Sequence, residues 1–211
     1  MIPVGSIEQH GPNLPLGTDT IIIDEIMNRF EIRRPDVWIA PTVNIGSSGE
    51  HADFPGTLSF GNESLSRALI ELGRSADHFD CLYFANWHGG NVGAIATATR
   101  ILSSEGRRAG DWIAVPDRSS RKGDLHAGRQ ETSMMLAIRP DLVLNVAEKP
   151  GRLIDTADLL SQLVAKGVKS VSESGVLGDP TGASVREGQL LLGRFSDHLV
   201  DSFDEFVSVS G

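Results

Sequence analysis

Cys81-Leu82-Tyr83-Phe84-Ala85-Asn86-Trp87-His88-Gly89-Gly90-Asn91 runs from an apolar stretch through a glycine-rich turn into the helical spacing of Val92–Ser104. A short apolar strand feeding a helix of that length is half of a strand–helix–strand unit, and the pattern repeats in both directions from it. Apolar β-type runs recur at Ile2–Val4, Val37–Val43 and Trp112–Val115, and the apolar strand here covers Cys81–Ala85. Helical spacing recurs over Ile21–Phe30, Ser64–Phe79 and Gln130–Ile138. This alternation predicts an α/β domain with a mainly parallel sheet. Two later stretches, Asp155–Lys166 and Ala183–Phe206, are also helical in spacing and are separated by the turn-rich segment Gly175–Gly182. No repeat and no shift in composition marks a second domain, so residues 1–211 read as one.

The balance of residues narrows the function. A chain of 211 residues with 40% hydrophobic and 22% charged residues can bury a core without staples. With 19 basic against 28 acidic residues the net charge is −9, and no Lys/Arg cluster appears, which argues against a nucleic-acid partner. Cys81 is the single cysteine, so neither an internal disulfide nor a thiolate zinc cage can form within one chain. No run approaches the ~18 apolar residues of a membrane span. The opening Met1–Gly5 lacks the basic and apolar regions of a signal peptide. A cytoplasmic location and no membrane partner are therefore expected.

The polar residues that could do chemistry follow the strands. Glu8, Gln9 and His10 come after the first; Asn86, Trp87 and His88 come after the Cys81–Ala85 strand. In open α/β sheets, ligands gather outside the carboxyl ends of strands. In extended chain, residues two apart face one side, so Glu8 and His10 can reach the same cation. Asp19, in Gly17-Thr18-Asp19-Thr20, reads either as a helix cap or as a further ligand. His88-Gly89-Gly90-Asn91 superficially suggests a nucleotide-binding turn, but His88 takes the place of the first glycine in that fingerprint. His126 and Glu131 bracket a helix start, where Glu131 reads as a dipole partner or as a functional carboxylate. Gly46–His51 and Phe54–Thr57 form a long loop, either a connector or a lid, and its length favours a lid. His78 and His198 lie in helical patterns among charged residues and read as solvated or structural.

Together, Glu8, His10, Asp19, His88, His126 and Glu131 offer only nitrogen and oxygen donors, which suits Zn²⁺, Mn²⁺ or Fe²⁺. They suffice for two divalent transition-metal ions sharing a carboxylate at a separation of about 3.5–4 Å. Such a pair acidifies water and polarises a carbonyl, which is the equipment of an amide-bond hydrolase.

The segments Pro3–Thr20, Asn86–Asn91 and His126–Ser133 resemble the creatininase (creatinine amidohydrolase) family, as do Gly49–His51, Phe54–Thr57 and Gly175–Thr181. The resemblance runs in order along nearly the whole chain. It implies a single-domain α/β/α sandwich, a dinuclear metal centre and a homo-oligomer, a hexamer or similar ring. By position it implies that Glu8, His10, Asp19 and His88 are metal ligands, with Asp19 as the bridge. The family's creatininases carry a further ligand Glu where this chain has Gly90, so Glu131 is the expected replacement and creatininase activity proper is not expected. His126 and Glu131 are the expected catalytic residues, with His126 passing a proton to the leaving nitrogen. Glu50, His51, Trp87 and Asn91 are expected to contact substrate. Trp87 stands where the family more often has glycine, so its ring narrows the pocket or packs on a neighbouring subunit. Family members usually have a helix-sized stretch ahead of the first strand, and this chain begins almost at that strand, which implies a truncated start or a more open site. Within the family the pattern is most similar to the peptidases of mycofactocin biosynthesis. That likeness implies cleavage of a modified precursor peptide to release its C-terminal Val–Tyr-derived unit. A small cyclic or formylated amide is the alternative substrate for an amidohydrolase or deformylase, and a metal-free nucleotide-binding module is the alternative from another class.

Overall fold

The computed structural model describes residues 1–114, 124–144, 163 and 166–209. Among these, strands β1 (Ile2–Val4), β2 (Leu82–Asn86) and β3 (Ala109–Ile113) form a parallel sheet in the order β1-β2-β3. Ile2 pairs with Phe84, and Phe84 in turn with Asp111. All five residues of the central β2 are buried, which is why the segment reads as an unbroken apolar run.

Among the described residues, five long helices surround the sheet: α1 (Thr18–Arg33), α2 (Gly61–Ser75), α3 (Val92–Ser104), α4 (Arg129–Ile138) and α5 (Val185–Ser208). Successive side chains of β2 point to opposite faces. Tyr83 and Ala85 join Ile22, Ile26, Phe30, Met134, Leu192 and Leu199 of α1, α4 and α5. Leu82 and Phe84 join Leu65, Leu69, Ile95 and Leu102 of α2 and α3. Helices on both faces of a parallel sheet make the expected α/β/α sandwich.

One expected strand is different. Val37–Val43 runs beside β1, with Ala40 N–H donating to Met1 O (2.9 Å) and Val43 N–H to Pro3 O (3.0 Å). It contributes only an isolated bridge from Val43 to Val4, because neither Pro41 nor Pro3 has an N–H to continue the ladder. The strand expected at Trp112–Val115 starts earlier, at Ala109, and Val115 lies outside the described residues. The helix expected over Asp155–Lys166 lies outside them too, apart from Leu163 and Lys166.

Helix α5 begins with a side-chain cap. Ser184 Oγ accepts from Glu187 N–H at 3.2 Å, while the Glu187 carboxylate reaches α4 through Arg129 Nε (2.6 Å) and Ser133 Oγ (3.2 Å). Ser184→Ala is expected to destabilise the fold by about 1 kcal/mol, a typical cost for a lost cap. A urea titration should show a lower midpoint at unchanged slope. An unmoved midpoint would mean that the cap contributes nothing.

Candidate metal centre

The loop after β1 carries the first candidate pair, Glu8 and His10. A Cβ built on Gly5 would lie 2.8 Å from Thr20 Cα, so only glycine lets the start of α1 rest against this loop. Ser6 Oγ then donates to Asp19 Oδ2 (2.5 Å), and Thr20 Oγ1 donates to Ser6 O (3.0 Å). Helix α1 starts at Thr18, its cap position is Gly17, and Asp19 lies buried in the first turn facing inward. The capping alternative for Asp19 does not hold.

His88 follows β2. Its Nε2 is 3.1 Å from Glu8 Oε2, and its Nδ1 is 3.4 Å from Asp19 Oδ2. The other oxygen of Asp19, Oδ1, is 3.4 Å from His10 Nε2, so the carboxylate stands between two imidazoles. The same His10 nitrogen is 3.9 Å from Glu131 Oε2. Glu131 is fixed by two N–H donors, Trp87 Nε1 on Oε1 (3.2 Å) and the Ala127 amide on Oε2 (2.7 Å). Ala127 adopts φ 52°, a left-handed conformation that costs an alanine roughly 1–2 kcal/mol. It turns the chain between His126 and α4, and Asp124 accepts from the first amides of that helix, those of Arg129 (2.9 Å) and Gln130 (3.1 Å).

His126 completes the ring. Its Nε2–H reaches Gln9 O (2.8 Å), which leaves Nδ1 3.6 Å from Glu8 Oε1. His51 Nε2 is also 3.6 Å from Glu8 Oε1, and His51 Nδ1 meets the Gln9 side chain at 2.7 Å. The His126 ring lies against those of His10 (4.3 Å between centroids) and His51 (4.5 Å). Glu50 comes from the one-turn 3₁₀ helix Gly49–His51, with Oε1 3.6 Å from His88 Nε2.

All six residues expected at the centre therefore converge, and Glu50 and His51 join them. Trp87 is buried edge-on against Phe195 (4.7 Å), so its ring packs within this chain. It lines a cavity of about 120 Å³ together with Asp19, His88, His126 and Glu131. Asn91 is a correction. Its fully buried amide is spent on Ser47 N (2.8 Å), Gly5 O (2.9 Å) and Asn86 Oδ1 (3.0 Å), so it ties three loops together and presents nothing to a substrate. His198 accepts from Trp112 Nε1 (2.9 Å) and His78 is exposed, so both stand apart from the centre. Residue-by-residue reading placed Gln9 at the strand end without giving it a role and missed Ser6 and Asp124; all three hydrogen-bond the candidate side chains or the segments that carry them. The one available signal was Gln9 lying between Glu8 and His10.

The electrostatics follow from burying these charges together. Burial pushes the Glu8 carboxyl upward, but His88, then His51 and His126, outweigh it and hold Glu8 well below the ordinary range. Burial likewise opposes ionisation of Asp19, and His10 overcomes it. Burial alone would depress the His10 and His88 imidazoles, yet Asp19 and Glu8 respectively lift them to about 10. His51 is driven down to about 4 by burial. His126 is driven down to about 3 by burial, with His10 and His51 adding to it. Glu131 rises to about 7 through burial, opposed by His10.

Even so, Glu8 Oε1, Glu8 Oε2 and His10 Nε2 are buried without a hydrogen bond. Such atoms are costly unless something fills the space between them. Among the described residues, three groups have ligand atoms all within 4.8 Å of one another: Glu8–His10–His126, Glu8–Glu50–His88 and His10–Asp19–Glu131. The donor set is nitrogen and oxygen alone, and it fits a divalent metal ion better than it fits an anion. The carboxylates of Glu8, Asp19 and Glu50 would repel the phosphates that the nucleotide-binding alternative needs.

A family model described as creatinine amidohydrolase matches residues 1–203. The mycofactocin precursor peptide peptidase of Mycolicibacterium smegmatis is 43% identical over 209 residues, covering 95% of this chain and 82% of that protein. The protein of the same name from Mycobacterium ulcerans is 44% identical over the same length, with the same coverage. Among solved structures, one described as a creatininase with Mn superposes with a TM-score of 0.77 at 24% identity, covering 97% of this chain and 89% of that one. That last likeness bears on the fold.

Proposed function

The chain belongs to the creatininase family, and from that premise we propose that it is a metal-dependent hydrolase of C–N amide bonds. As a peptidase it would cleave the modified mycofactocin precursor peptide and release the C-terminal Val–Tyr-derived unit. One observation carries the chemistry: three buried donor atoms, two on Glu8 and one on His10, lack hydrogen bonds amid further imidazoles and carboxylates. The peptide substrate rests on the 41–44% identity to the named peptidases.

Two divalent ions, Zn²⁺, Fe²⁺ or Mn²⁺, would be held by Glu8, His10, Asp19, His88 and Glu131, with Asp19 shared between them. Asp19 stands between two imidazoles, with one oxygen toward His10 and the other toward His88. When bound, such ions activate water and polarise the scissile carbonyl. The protein's own part is to place the substrate and move a proton. Trp87 walls the cavity and fixes Glu131. His126 turns its Nδ1 toward the cluster, placed to carry a proton to the leaving nitrogen.

The peptidase assignment is tested by incubating metal-loaded protein with the modified precursor peptide and following release of the C-terminal fragment by mass spectrometry. Release that is blocked by a chelator and restored by metal is expected. An intact peptide alongside hydrolysis of a small cyclic or formylated amide would select the second reading.

We take residues 1–211 as one amidohydrolase domain working in the cytoplasm as a homo-oligomer, a hexamer or similar. Among the described residues no helix is long and apolar enough to cross a membrane. Trp38, 76% exposed and 6.2 Å from the exposed Phe79, is apolar surface of the kind that subunit contacts cover.

A further inference from the structure

We infer that Glu50 is a ligand of the ion held by Glu8 and His88, an assignment that rests on the metal-dependent reading above. The carboxylate approaches from the 46–51 loop and not from the strand ends. Its Oε1 is 3.6 Å from His88 Nε2, and Glu8, Glu50 and His88 form one of the three compact donor groups. Neither Glu8 oxygen in that group has a hydrogen bond, and Glu8 is fully buried.

Gly90 shows why the ligand comes from this loop. A Cβ built there would lie 2.1 Å from Ser47 O, 2.5 Å from Glu50 Oε1 and 2.5 Å from His88 Nε2. Contacts that close, one of them to backbone, leave no room for any side chain at position 90. The space above Gly90 is filled by the 46–51 loop and by the Glu50 carboxylate itself. Glu131 supplies the opposite side, where it groups with His10 and Asp19. The two carboxylates thus complete two different donor groups.

The loop is braced in place. His51 N–H donates to Ser48 O (3.0 Å), and Ser47 N–H donates to Asn91 Oδ1 (2.8 Å). Gly167 (φ 72°) comes so close that a Cβ there would be 3.1 Å from Glu50 O. Lys169 Nζ donates to Asp53 O (3.3 Å). The Glu50 side chain is 27% exposed where that of Glu8 is 0%, so Glu50 is the member of its group that solvent reaches. A ligand so placed can be displaced by an incoming substrate while Glu8 and His88 stay put.

Glu50→Gln tests this with little change of shape. Zn²⁺ per chain would be measured after dialysis against chelator-buffered Zn²⁺, and the visible spectrum would be recorded with Co²⁺ in its place. The variant should lose one of two ions, or bind it more weakly by at least tenfold, the lower end of what even outer-shell changes cost. The Co²⁺ absorption should change to match. Wild-type loading and an unchanged Co²⁺ spectrum in Glu50→Gln, with only KM raised, would make Glu50 a substrate contact and overturn the assignment. A wild-type protein that binds no ion would overturn it together with the metal-dependent reading, whereas a defect confined to the variant's loading bears on Glu50 alone.

Discussion

Asp19→Ala is expected to abolish loading of both ions and reduce hydrolysis by more than about a hundredfold, beyond the range for outer-shell changes. The fold should stand. Asp19 is one polar residue in the first turn of α1, and that helix is anchored by Ile22, Ile23, Ile26 and Phe30, each fully buried. The site should not survive. Oδ1 faces His10 and Oδ2 faces His88, so one substitution removes the anion that both imidazoles share. Ser6 Oγ loses its acceptor as well. Circular dichroism and the urea midpoint would report the fold, and elemental analysis of protein purified without chelators would report the ions. Retention of both ions by Asp19→Ala would remove the bridging role. Asp19→Asn, which keeps the shape but not the charge, should fall close to the alanine variant if charge is what matters.

Much of this centre is legible in the sequence because its candidate ligands sit at strand ends, where α/β geometry sends them to one edge. Glu8 and His10, two apart, and His88, directly after β2, need only that rule. What escapes is what depends on contacts between distant loops. Gln9 reaches His51 across 42 positions and His126 across 117, and no local pattern marks a glutamine for that work. Asn91 fails for the complementary reason. It lies beside the chemical residues in sequence, but the turn at Gly89–Asn91 points its amide into the scaffold. At the sheet edge, the β-type run at 37–43 has the right composition, and the N–H groups missing at Pro41 and Pro3 keep it from extending the ladder.

His126→Ala separates proton transfer from metal binding. The variant is expected to keep both ions and lose about a hundred- to ten-thousandfold in kcat, the usual contribution of a positioned acid–base group. The geometry leaves His126 a free hand. Its Nε2–H is committed to Gln9 O, so the lone pair on Nδ1 faces the cluster, and burial with His10 and His51 alongside keeps the ring neutral. Two donor groups, Glu8–Glu50–His88 and His10–Asp19–Glu131, hold no atom of His126, and both remain after its removal. The third group, Glu8–His10–His126, supplies the competing outcome. Loss of an ion along with turnover would make His126 a ligand, and normal turnover would take it out of the mechanism. His126→Gln sharpens the distinction, since glutamine can restore a bond to the Gln9 carbonyl but cannot carry a proton between water and the leaving nitrogen. An inactive, fully loaded His126→Gln is the result that ties the imidazole to proton transfer and not to the architecture around it.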